Sequence, residues 1–228
     1  MTVPLASLDP LAASLFSLLA IASLLMAFVM LGSRWLMDYL WAFAVESWLI
    51  AALSAAVAYY GGFPELYLVA GLTMIVRGLV LPYLLLRIVR RLNVEREIHE
   101  VLQPSAALVV GALAVIFAFV VARHIGSRLD LTGTVSVLAL TVMLSMQLIG
   151  FLMLAIRREA VSQILGLLVL ENGIFLGSQV LVPGMPLLIE MVILFDLLVV
   201  VVSLGVLVRY LIAHVGTTST RDLKRLVG

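Results

Sequence analysis

The sequence predicts an all-α integral membrane protein, a polytopic bundle of about seven transmembrane helices with the N-terminus external and the C-terminus cytoplasmic. Three observations predict it. Of 228 residues, 64% are hydrophobic and only 12% charged, with a mean hydropathy of +1.24, whereas soluble domains are about half apolar and about one quarter charged. Seven apolar stretches reach the roughly 20 residues that a spanning helix needs at about 1.5 Å per residue. The basic residues fall almost entirely on one side of those stretches.

Taken in order, the stretches run over residues 10–32, 39–60, 64–88, 104–124, 131–156, 161–182 and 185–213. The first follows "MTVPLASLDP", which lacks a positive n-region, so a retained helix is expected rather than a cleaved signal peptide. The second and third are parted by "YYGGFPE" and the sixth and seventh by "LVPGMP", both dense in helix breakers. No linker, low-complexity tract or repeat divides residues 1–228, which read as a single transmembrane helical domain. Arg34, Arg87, Arg90, Arg91, Arg96, Arg157, Arg158, Arg209, Arg221, Lys224 and Arg225 flank one side, against Arg123 and Arg128 on the other. The positive-inside rule makes the richer side cytoplasmic. In a prokaryote this places a multi-pass chain in the cell (inner) membrane, with the lipid bilayer as its solvent.

The first, fourth and fifth stretches contain uncharged runs of membrane length. The others do not: Glu46 lies in the second, Arg77 in the third, Glu171 in the sixth, and Glu190 with Asp196 in the seventh. Helical rise puts Arg77, Glu171, Glu46 and Asp196 well inside their helices and Glu190 shallower, near the external interface. Ionised groups at that depth cost several kcal/mol unless they pair, face the bundle interior or take up a proton. Four carboxyls compete for one guanidinium that does not deprotonate. At least two are therefore candidate protonatable stations, and Arg77 is a candidate modulator of their charge. In "RGLVLPYLL", Pro82 cannot donate to the carbonyl of Gly78 and is expected to kink the helix beside Arg77. In the sixth helix, Gly173 and Gly177 fall on the face opposite Glu171 and read as a packing stripe.

Other chemistry can be set aside. The chain has no cysteine, hence no disulfide or thiolate metal site. Its three histidines, His99, His124 and His214, lie at helix ends or in loops rather than paired at mid-membrane. No Walker loop, dinucleotide fingerprint, HExxH or Ser-His-Asp arrangement occurs. A net charge of +1 gives no reason to expect a nucleic-acid partner. No catalytic, cofactor-binding or metal-binding residues are therefore assigned within the chain.

"GLLVLENGIFL" with Glu171 and Asn172, "IEMVILFDLLVVVVSLGVLVRYL" with Glu190 and Asp196, "RGLVLPYLL" with Pro82 and the tail "RDLKRLVG" together resemble the hydrogenase-4 component E family. The likeness runs from about residue 15 to the end. It implies a non-catalytic membrane-arm subunit of a group 4 nickel–iron hydrogenase or formate hydrogenlyase complex, related in part to the K subunit of respiratory complex I. Its implied partners are other membrane subunits, antiporter-like and complex I-like, and a peripheral hydrogenase module. The nickel–iron centre and iron–sulfur clusters are then expected in those partners, with no cofactor bound by this chain. In the K subunits the corresponding helix carries a glutamate four residues before an Asn-rich stretch. Here Leu168 takes that place and Glu171 follows three residues later, on the same helix face. Arg77 stands where the family usually has lysine, and Glu46 where a neutral polar residue is usual. The implied role for Glu171, Asp196, Glu46, Arg77 and Glu190 is proton transfer or coupling in a redox-driven proton or cation pump. A purely structural scaffold subunit and a stand-alone membrane transporter are the alternatives.

Overall fold

A computed structural model describes residues 10–92, 102–128, 133–158 and 160–181, with residues 191 and 202 besides. Six helical rods fill these segments: α1 (Pro10–Gly32), α2 (Leu36–Gly61), α3 (Glu65–Leu72 continuing through Thr73–Val80 to Leu81–Leu92), α4 (Pro104–Arg128), α5 (Thr134–Ile156) and α6 (Ala160–Leu181). Among the described residues the chain is all-helical, and five helices (α1, α2, α4, α5 and the Glu65–Arg87 part of α3) are long and apolar enough to cross a membrane. The seventh predicted helix, residues 185–213, with Glu190 and Asp196, lies outside the described residues.

Local sequence sets the ends. α2 stops at Gly62, whose φ of 72° is a left-handed turn open to glycine, with its N–H donating to Ala58 O. It starts at Leu36, three residues before the expected Tyr39, which brings Asp38 into its first turn. α4 continues to Arg128, beyond the expected end at His124, so residues 125–128 are helical as well. The hydroxyls of Ser14, Ser17 and Ser23 donate to carbonyls four residues back along α1, which keeps a serine-bearing apolar helix free of exposed donors.

The core lies where α1, α2, α5 and α6 meet, around Phe16, Tyr39, Phe43, Met146, Ile149, Met153, Leu165 and Val169, all at most 2% exposed. α4 packs peripherally and leaves Val109, Leu113, Ile116, Phe117 and Val120 exposed, the apolar outer face expected of a helix whose solvent is lipid.

α5 and α6 are joined by a glycine seam. A Cβ on Gly150 would stand 2.8 Å from Gly166 O and from Leu170 N, and a Cβ on Gly173 2.8 Å from Met146 Cβ. Gly177 abuts Met143 in the same way. The expected stripe of Gly173 and Gly177 is thus a real contact surface, extended by Gly166, and it lets two backbones approach as small-residue membrane interfaces do.

A second buried cation fixes the end of α1. Arg157 is 2% exposed and donates from Nη2 to Met30 O (3.0 Å) and Leu31 O (3.1 Å) and from Nη1 to Ser33 O (3.2 Å). Its guanidinium lies 5.5 Å from the Tyr39 ring centroid. Sequence alone assigns Arg157 to a charged loop; folded, it satisfies the final carbonyls of α1, which have no donors within their own helix. Arg157→Ala is expected to lower stability by roughly 2–3 kcal/mol, the order of losing charge-assisted bonds to buried acceptors. Thermal aggregation of detergent-solubilised protein measures the loss.

Candidate functional site

α2 and α3 each bring one polar residue, and α6 two adjacent ones, to a common depth. Glu46 lies ten residues into α2, about 15 Å along the axis, Arg77 about 18 Å into α3, and Glu171 and Asn172 about 17–18 Å into α6. Helical rise alone therefore puts all four near mid-height, and the side chains do meet. Glu46 and Asn172 are 0% exposed, Arg77 1% and Glu171 8%.

The contacts form a branched chain centred on Arg77. Its Nη1 donates to Asn172 Oδ1, and Asn172 Nδ2 in turn donates to Glu46 Oε2 at 2.9 Å. Arg77 Nη2 stands 3.8 Å from Glu171 Oε2, an ion-pair distance longer than a hydrogen bond. The guanidinium carbon lies 5.6 Å from the Phe175 ring centroid, within cation–π range. Glu171, Asn172 and Phe175 are spaced to share one side of α6, so a single helix supplies an anion, an amide and a ring to one cation. One guanidinium thus serves two carboxyls, Glu171 directly and Glu46 through an amide. Among the described residues, Glu46 Oε1 is buried and accepts no hydrogen bond.

Arg77 sits in a distorted part of α3. Residues Thr73–Val80 are π-helical, and the N–H of Leu81 reaches back five residues to Val76 O. π-Turns inside α-helices are uncommon and concentrate at functional sites. Pro82 follows directly and is buried; lacking an N–H, it cannot restore the ordinary ladder at this point. The proline expected to kink α3 therefore adjoins a change of hydrogen-bond register. Beside Arg77, Gly78 has the edge of the Trp48 indole where a Cβ would lie, which lets α2 close onto α3 next to the site.

Of the residues singled out from sequence, Arg77, Glu171 and Glu46 come together and Pro82 lies just beyond them, while Glu190 and Asp196 are outside the described residues. Asn172 is the member that charge counting missed, because an amide carries no charge; its position next to Glu171 was the available signal. Gln179 is a further polar residue of α6, two turns beyond Asn172, fully buried, with neither amide atom hydrogen-bonded among the described residues. Among the described residues no three His, Cys, Asp or Glu side chains gather as a metal ion would require.

The uncharacterized protein Rv0085 of Mycobacterium tuberculosis is 30% identical to this chain over 151 residues, which cover 66% of this chain and 67% of the mycobacterial protein. No family model matches the chain, and no solved structure matches it.

Proposed function

The chain belongs to the same family as that mycobacterial protein, and we propose that it is a membrane-arm subunit of a multisubunit, complex I-like hydrogenase, in which its buried charges couple redox chemistry to proton or cation translocation. The observation that carries the proposal is the Glu171–Arg77–Asn172–Glu46 chain: protonatable groups from two helices, joined at mid-depth through one permanent cation on a third. An isolated carboxylate at that depth is costly, whereas a shared guanidinium lets charge be exchanged between two acids. The resemblance to hydrogenase-4 component E supplies the setting. This reading keeps seven spans, an external N-terminus and a cytoplasmic C-terminus in a prokaryotic cell membrane, with Asp196 and Glu190 as further candidate acids from the seventh span.

In this role the chain does no bond chemistry. Nickel–iron and iron–sulfur centres require thiolates, and a cysteine-free sequence has none to give, so those centres belong to partner subunits. The chain's residues would hold charge and release it. Reduction in the peripheral module shifts the potential around Arg77, Arg77 moves its charge between Glu171 and the Asn172–Glu46 branch, and the acid it leaves takes up a proton.

Glu171→Gln is expected to abolish proton or cation translocation while leaving hydrogen evolution from an artificial electron donor largely intact. Membrane vesicles with a pH-sensitive dye, and gas evolution assayed in parallel, measure the two. Full translocation in that variant overturns the coupling role. The second reading, a scaffold subunit, draws on the same bonds, since the Arg77–Asn172–Glu46 bridge ties α2, α3 and α6 together. It expects the variant to lose the assembled complex on native gels rather than its coupling.

A further inference from the structure

We infer that Asn172 dictates which oxygen of Glu46 carries the proton, and that this oxygen is Oε1. The inference rests on the protonatable role proposed above for Glu46. An arginine has five N–H donors and no acceptor. The group facing Arg77 Nη1 must therefore be the carbonyl oxygen of the Asn172 amide, which leaves only its NH2 for the other side. Arg77 thus fixes an amide orientation that atom positions alone would leave ambiguous.

The consequence falls on Glu46. Asn172 Nδ2 donates to Oε2 at 2.9 Å, and a carboxylic acid receives such a bond best on its carbonyl oxygen. Oε1 is buried and, among the described residues, accepts no hydrogen bond, which makes it the costlier oxygen to leave negatively charged. Uptake forms one O–H bond at Oε1 and leaves the bond at Oε2 in place; release breaks that O–H bond alone. Asn172 is then a positioning residue, and Arg77 controls it. If Arg77 withdraws toward Glu171, the amide is free to turn over and offer Glu46 an acceptor in place of a donor. Movement of the cation is thereby converted into a change in which form of Glu46 is solvated.

Infrared difference spectroscopy on the full chain, in membranes with its complex, tests this through the carboxylic C=O stretch on acidification. The expected result is a band that Glu46→Gln removes, lying at low frequency because the carbonyl accepts a hydrogen bond, and moving to higher frequency in Asn172→Leu. Asn172→Ala also withdraws the N–H without adding a titratable group, so it should shift the band the same way even if the leucine variant fails to assemble. A Glu46-dependent band that stays in place in Asn172→Leu or Asn172→Ala overturns the inference and leaves the proton-carrying role standing. The absence of any Glu46-dependent band at any accessible pH removes Glu46 from that role, and the inference with it.

Discussion

Arg77→Leu is expected to destabilise the folded chain by roughly 3–5 kcal/mol, the range found when one partner of a buried charge group is deleted and the others stay. The cost arises from what remains. Glu46 and Glu171, 0% and 8% exposed, lose their common cation, and Asn172 loses the donor that orients it. Leucine fills much of the volume, so little of the loss comes from a cavity. The charge argument is checked by adding substitutions: Glu46→Leu and Glu171→Leu in the Arg77→Leu background should recover much of the loss, because an apolar replacement of a whole buried charge group is often neutral. Denaturation in mixed detergent, following helicity, measures each step. Arg77→Lys should fall between, since a single ammonium cannot span Asn172 and Glu171 as a planar fork does. If the triple variant is no more stable than Arg77→Leu, the burial cost lies elsewhere.

Gly150→Ala is expected to cost about 2–3 kcal/mol although it adds one methyl group and improves helix propensity. The added carbon would meet Gly166 O and Leu170 N, both at 2.8 Å, and backbone atoms cannot rotate away as a side chain can. α5 and α6 must move apart. Gly71→Ala is the control: a Cβ there has nothing within 4 Å, so the same change should be neutral or slightly stabilising. Because α6 carries the seam on one face and Asn172 and Glu171 on another, the Gly150 variant should also weaken the bridge to Arg77. On the coupling role proposed above, the ratio of translocation to hydrogen evolution should therefore fall, though the atoms nearest a Cβ on Gly150 belong to Gly166 and Leu170 rather than to the site. Equal thermal stability of the two alanine variants would count against the seam as a tight contact.

Much of this was legible in the sequence because a membrane leaves few options. An apolar run of 23 residues such as Pro10–Gly32 has one way to satisfy its backbone in lipid, and it forms that helix. Arg77, Glu171 and Glu46 could be placed in one layer from residue counts alone, since helical rise is constant. What stayed hidden depends on partners rather than on position. Asn172 matters because of the cation on one side and the acid on the other, and neither is visible from its own surroundings in the sequence. Arg157 follows a helix end and reads as a loop charge; only folding brings the carbonyls of Met30, Leu31 and Ser33 to it. The π-helical run is a matter of backbone register, which side-chain patterns do not record, although Pro82 marked where the ladder had to change.

That run has a torsional consequence. A turn closed by five-residue bonds holds more chain than an α-helical one, so the side chains after Val80 point along bearings rotated from those that Glu65–Leu72 would project. α3 is therefore two helical shafts offset in phase from one another, and Arg77 stands on the length that sets the offset. The bearing of the guanidinium toward Asn172 and Glu171 is thus set by how many residues that length holds.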